Sequence, residues 1–260
     1  MKRILLVFVL LLTLISFVSC ETKDTNNTKQ DVITFGVYPQ KEVVDNELID
    51  QLKQLSPNAK DRLEFNEKEY ILVDGKYYEL APIEWEAVLI GEELLYITKD
   101  IIDAQVFLKH EYVKVIGNSE SIKPGVPEGI YSNNYQYSDL REWLNYNFLN
   151  YAFTEEEKSE LSKINYDGLS DYVYTLSKEE TVNLKTVASK VTDYAIAMGC
   201  DVFTEDDVEA QFIGNGISWL RNPNEIHRYR VSAINAEGVV HEFVDCYYTG
   251  IGVRPVIKLK

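Results

Sequence analysis

The chain has 260 residues, 45% of them hydrophobic and 12% aromatic, which is enough apolar material for one large folded domain or two small ones. Lys and Arg number 26 against 42 Asp and Glu, a formal charge of −16. Such a balance repels phosphate backbones, whose binding rests on Lys and Arg, and disfavours adsorption to anionic lipid; nucleic acid is therefore not an expected partner.

The chain opens with Lys2 and Arg3, an unbroken apolar run from Ile4 to Leu12, and Thr13 to Ser19 leading into Cys20. A basic start, a short apolar stretch and small residues before a cut are the marks of a secretory signal. Phe17-Val18-Ser19-Cys20 resembles the lipobox of bacterial lipoproteins, with Phe17 where Leu is usual. That resemblance implies diacylglycerol on the Cys20 thiol, cleavage before it and acylation of the new amino terminus. The alternatives are an ordinary cleaved signal or an uncleaved anchor. A bilayer span needs about 20 apolar residues, and Ile4 to Val18 is short of that. Each buried methylene contributes about 0.8 kcal/mol, so two or more acyl chains anchor stably. Loss of Lys2 and Arg3 with residues 1–19 takes the charge to −18. Glu21 to Gln30 holds no apolar residue and reads as a flexible tether, because it has nothing to bury against its ordering entropy. The expected division is 1–19 signal, 20–31 lipidated tether and 32–260 folded domain, in the bacterial cell envelope with a membrane partner through lipid.

Within the domain, Val32 to Val37 reads as a strand closed by a turn at Pro39, which cannot donate to a ladder. Leu48, Ile49, Leu52 and Leu55 share one helical face over Asn46–Leu55. Glu69–Val73 and Lys76–Ile90 flank Asp74-Gly75, the tightest hairpin signal in the chain, and Leu94–Thr98 extends the meander. Gly117–Gly129, with two prolines and three glycines, reads as an exposed loop. Ser138–Tyr151 predicts a helix capped by Ser138, with Leu140, Trp143, Leu144, Phe148 and Tyr151 on one face. Thr154 with Glu157, and Ser177 with Glu180, are two capping boxes that start short helices. Tyr172–Leu176 predicts a strand and Val191–Met198 a helix. Four strands follow, at Ile217–Leu220, Arg228–Ile234, Val239–Val244 and Val253–Leu259. Strands at both ends with helices between predict a single α+β domain, its terminal strands in one antiparallel sheet with flanking helices and long loops.

Seven short pieces in order resemble the bacterial domains of unknown function 6273. They are Phe35-Gly36-Val37-Tyr38-Pro39-Gln40, Pro82-Ile83-Glu84-Trp85, Leu140-Arg141-Glu142-Trp143-Leu144-Asn145, Ala152-Phe153-Thr154-Glu155-Glu156-Glu157, Thr192-Asp193-Tyr194-Ala195, Trp219-Leu220-Arg221-Asn222-Pro223 and Gly252-Val253-Arg254-Pro255. The likeness spans about residues 35 to 258 and brings no activity with it. Trp219-Leu220-Arg221, the paired strands after it and the closing Gly-Val-Arg-Pro are also similar, more distantly, to the C-terminal half of C-type-lectin-like domains, including the formylglycine-generating-enzyme type. That likeness implies a two-stranded sheet joining the termini, flanking helices and a long irregular functional segment. The chain lacks the Trp-Asn-Asp calcium signature and a reactive cysteine pair, so neither calcium nor oxidase chemistry is implied.

Candidate chemistry is thin. Only His110, His227 and His241 are present, with no zinc spacing; the acidic run Glu205-Asp206-Asp207-Val208-Glu209 lacks a calcium-loop pattern and reads as a solvated face. No nucleophile elbow or phosphate loop occurs, so no metal, cofactor or catalytic residue is assigned. Cys200 and Cys246 are left to pair or stay free, since a disulfide needs Cα atoms within about 7 Å. Trp85, Trp143 and Trp219 sit in apolar patterns and read as core. Arg221 and Arg254 read as structural clamps on the terminal sheet, with Asp193 or Glu84 as partners, because a guanidinium near a core must satisfy its donors. Eighteen tyrosines remain the one positive hint. Tyr131, Tyr135, Tyr137, Tyr247 and Tyr248 fall outside clean amphipathic patterns, and Tyr combines a rigid face with a polar tip suited to recognition. The leading expectation is a non-catalytic binding module for glycan or protein; the alternatives are an enzyme on cell-wall or glycan substrates and a structural or assembly lipoprotein.

Overall fold

The computed structural model describes residues 32–114, 119–185 and 187–260. The leader, Cys20 and the tether lie outside the described residues. In chain order the elements are β1 (Val32–Glu42), α1 (Asn46–Leu52), β2 (Arg62–Phe65), β3 (Lys68–Val73), β4 (Lys76–Ile90), β5 (Glu93–Thr98), β6 (Asp103–Ala104), α2 (Asp139–Trp143), α3 (Leu149–Ala152), α4 (Glu155–Glu160), β7 (Leu161–Ser162), β8 (Ile164–Tyr166), β9 (Leu169–Asp171), β10 (Val173–Tyr174), α5 (Asp193–Ala197), β11 (Ser218–Pro223), β12 (Arg230–Ile234), β13 (Val240–Asp245), β14 (Gly252–Val253) and β15 (Val256–Leu259).

Strand β4 organises the larger sheet. It pairs antiparallel with β1 along Tyr78–Glu86, with β3 over Lys76–Leu80 and with β5 over Trp85–Ile90. The sheet runs β10-β15-β5-β4-β3-β2, with β1 on β4 and β7 on β15. A second sheet has the order β13-β12-β11-β14-β6, and β8 with β9 forms a separate hairpin. One core fills the space they enclose, with Trp85, Trp219, Phe107, Phe148, Phe153 and Tyr174 among its fully buried side chains. Each buried indole keeps a partner: Trp85 Nε1 donates to the Phe35 carbonyl and Trp219 Nε1 to that of Gln105, both at 2.7 Å. A smaller core of Val43, Leu52, Leu63, Tyr70 and Tyr77 seats α1 on β2–β4.

This corrects the α+β, lectin-like expectation. Among the described residues strand predominates, 39% against 20% helix, and the antiparallel sheet curls into a half-barrel. Among the described residues the one extended helical run is Asp139–Ala152, and the other α-helices have at most seven residues; pieces that short cap and connect strands but do not form a flanking layer. Strands β1 and β15 lie in one sheet without pairing, separated by β4 and β5. Strand β1 also continues through Pro39, which sits opposite Leu80 beside a register shift between Pro39 and Lys41. A bulge is where a ladder tolerates the missing donor. The single helix expected over Ser138–Tyr151 is α2, a π-helical turn at Leu144–Phe148 and α3.

Candidate ligand-binding cleft

An open cleft of about 410 Å³ lies between the Lys123–Val126 turn, the Gln136–Tyr146 segment and Asp171 at the end of β9. Its walls follow from local chemistry. Pro124 and Gly125, the latter at φ +83°, form a tight turn closed by Val126 N–H on the Lys123 carbonyl at 3.2 Å, the Pro-Gly order a type II turn requires. Ser138 caps α2, its hydroxyl accepting from Arg141 N–H at 3.0 Å, and Asp139 and Glu142 set negative charge against the positive helix end. The π-helical turn then inserts one extra residue per turn. Leu144 and Phe148 stay in the core, while Asn145 and Tyr146 reach the cleft; such turns recur at functional sites.

The floor is a locked polar network. Arg141 holds Asp171 through Nε at 2.7 Å and Nη2 at 2.8 Å, and donates from Nη1 to the Gln136 carbonyl at 2.9 Å. The Tyr166 hydroxyl donates to the same Asp171 carboxylate. The hydrogen bonds that Arg141 donates to Asp171 outweigh desolvation and hold its guanidinium protonated above the ordinary range. Burial pulls the Lys123 ammonium down, but hydrogen bonds to Asp139 at 2.7 Å and Glu142 at 2.9 Å more than offset it. Asn145 is saturated: Nδ2 donates to the carbonyls of Val173 at 2.7 Å and Arg141 at 3.2 Å, and Oδ1 accepts from Tyr172 and Val173 N–H at 3.1 and 3.2 Å. It serves as a surrogate strand at the edge of β10.

Above this floor stand groups with unused capacity. Tyr146, 70% exposed, half-buried Tyr137 and the Gln136 side chain line the cleft without a hydrogen bond from their polar ends to the described protein. Arg141, by contrast, spends its donors on the floor, on Asp171 and the Gln136 carbonyl. The arrangement offers an aromatic face, fixed donors and a carboxylate rim.

The five tyrosines singled out in the sequence do not converge here. Tyr137 lines the cleft. Tyr135 is 6% exposed, packed on Phe107 and Tyr166, so it is a core residue rather than a ligand surface. Tyr131 is exposed under the Arg228 guanidinium, 4.8 Å from its ring centroid. Tyr247 lies against His110, ring centroids 4.7 Å apart, and Tyr248 donates to Asp201 at 2.7 Å. Tyr146 is not marked by the periodicity of Ser138–Tyr151, which identifies only that segment's apolar face; the available signal is that a tyrosine stands off that face.

Trp85 and Trp219 are buried, while Trp143 is half-buried and stacked on Phe148 at 5.5 Å. Arg221 is buried between Glu180 and Asp167, its guanidinium over the Tyr166 and Tyr174 rings. Arg254 donates to the carbonyls of Thr98 and Val187 and lies 3.8 Å from Glu86; burial lowers its affinity for the proton to a pKa of about 10. The expected partners are engaged elsewhere, Glu84 with Lys99 and Asp193 with the Glu42 amide. Cys200 and Cys246 are buried and free, and burial pushes both thiols up to about 12. Among the described residues no group of three or more His, Cys, Asp or Glu is placed to hold a metal ion, and no helix is long and apolar enough to cross a membrane.

No curated protein and no solved structure matches the chain. One family does, over residues 97–260. The five motifs from Leu140 onward fall inside that stretch, whereas Phe35–Gln40 and Pro82–Trp85 precede it, although β1 and β4 complete the sheet on which the matched part folds. With more than half its length matched, the chain belongs to the family described as Domain of unknown function (DUF6273).

Proposed function

We propose that this protein is a lipoprotein of the bacterial cell envelope, anchored through acylated Cys20, whose folded domain is a recognition module that holds a glycan in the Lys123–Asp171 cleft. The observation that carries the reading is the division of labour in that cleft. Arg141, Asp171, Lys123, Asp139 and Glu142 are locked to one another, while the Tyr137 and Tyr146 rings and the Gln136 amide face the opening. Binding sites combine a few fixed polar groups with aromatic surface in this way, and paired charges favour holding a ligand over proton transfer. The leader and lipobox support the anchor, and the apolar-free Glu21–Gln30 stretch supports a tether that gives the domain reach.

The test is a glycan array probed with the full chain in detergent micelles, wild type beside Tyr146→Ala. Retention of a saccharide by wild type, weakened about tenfold in Tyr146→Ala for loss of one stacking face, is the expected result. An empty array, or a hit that Tyr146→Ala binds equally well, overturns the glycan reading. For the anchor, labelled palmitate should enter the wild-type chain in a bacterial host and not Cys20→Ser; equal labelling of both removes Cys20 as the acylation site.

A further inference from the structure

The charge arrangement of the cleft carries the reading further, to the class of saccharide. Two carboxylates, Glu142 and Asp171, and two cations, Lys123 and Arg141, line one opening, and a third carboxylate, Asp139, holds Lys123 from behind it. Neither cation is available as a full charge. Lys123 is clamped from both sides at 2.7 and 2.9 Å, and Arg141 spends its bidentate edge on Asp171. A carboxylated or phosphorylated ligand would have to displace one of these pairs or sit beside an excess negative charge, on a chain that is itself strongly acidic. Like-charge juxtaposition is how interfaces reject wrong partners.

What the opening does offer suits hydroxyl groups, which both donate and accept. The Gln136 amide and the Tyr137 and Tyr146 hydroxyls supply polar contacts, and a Glu142 oxygen accepts. The exposed Tyr146 ring supplies an apolar face of the size of a pyranose. We infer that the cleft selects uncharged polyhydroxylated saccharides and rejects their uronic-acid counterparts, a conclusion that rests on the glycan reading above.

The experiment is a calorimetric titration of the full chain in detergent with cellotetraose, xylotetraose, mannotetraose and chitotetraose, set against tetragalacturonate and tetraglucuronate. At least one neutral probe should bind about tenfold or more tightly than either uronate at low salt, and the gap should narrow as salt screens the rim. A uronate that binds as tightly as the best neutral probe overturns the selectivity while leaving the cleft as a saccharide site. Failure of every probe, with an empty array, overturns the underlying reading itself. Glu142→Gln adds an independent arm, because it removes one rim charge and releases one hold on Lys123. The ratio of uronate to neutral affinity should rise about five- to tenfold; an unchanged ratio shows that the rim charge does not select.

Discussion

Replacing Asn145 by Ala tests how the cleft is built. The side chain makes four hydrogen bonds, and truncation leaves three backbone groups at the edge of β10 without partners, the Tyr172 and Val173 N–H groups and the Val173 carbonyl. The fourth, the Arg141 carbonyl, still accepts from the Leu144 N–H. An orphaned backbone group in a part-buried site costs about 1 kcal/mol or somewhat more, so the loss should be about 3 kcal/mol. For a domain of this size that is a fall in Tm of roughly 6–12 °C. Urea unfolding of the chain without residues 1–31, followed by tryptophan fluorescence, measures it. Asn145→Asp, which keeps the acceptor oxygen and loses both donations, should fall between wild type and Ala. A loss below about 1 kcal/mol for Asn145→Ala would refute the surrogate-strand account.

Three further outcomes follow from the same structure. At Gly36, φ is +69° and an added Cβ would stand 2.5 Å from Phe153 Cε1 and 2.9 Å from the Ala152 carbonyl, so Gly36→Ala should lose about 2–4 kcal/mol from backbone strain and overpacking together, measured by the same unfolding curve. Burial raises Asp103 to about 6, against which the bonds from Tyr38 at 2.5 Å and Gln105 at 2.9 Å pull downward. Because the folded state then holds its proton to higher pH than the unfolded state, Asp103 stabilises below pH 3.8 and that stability is lost as pH rises to about 6, on the order of 3 kcal/mol. Stability of Asp103→Asn should therefore be flatter across that window in melts at stepped pH; an unchanged slope counts against the raised carboxyl. Cys200 and Cys246 should resist iodoacetamide at pH 8 while folded and react fully in urea, with no disulfide in non-reducing mass spectra.

Local grammar was legible in the sequence and long-range geometry was not. Asp74-Gly75 does close the β3–β4 hairpin, and Thr154 with Glu157 forms a reciprocal capping box at 3.1 and 2.8 Å, because each signal lies within four residues of what it organises. The Ser177–Glu180 pair is reciprocal too, at 3.3 and 2.7 Å, yet it opens only a 3-10 turn at Glu180–Asn183. Glu180 is also held by Arg221, 41 positions away, and tertiary pairing overrode the helix signal. The strands β2 and β6–β9 carry too few residues to show alternation. At the cleft, Tyr137 was legible as a tyrosine off any amphipathic face. Tyr135 was not separable from it, since its burial depends on Phe107 and Tyr166 arriving from distant segments. The π-helical turn that presents Tyr146 has no pattern of its own in Leu144-Asn145-Tyr146-Asn147-Phe148.

The central claim is that ligand enters between the Lys123–Val126 turn and the Gln136–Tyr146 segment. Hydrogen–deuterium exchange of the full chain, with and without the tightest array saccharide, tests it most directly. Binding should slow exchange in residues 119–126 and 136–147 and leave the edge strand β13 and the α1 region unchanged. Protection confined to β13, α1 or any surface other than those two segments would contradict the assignment.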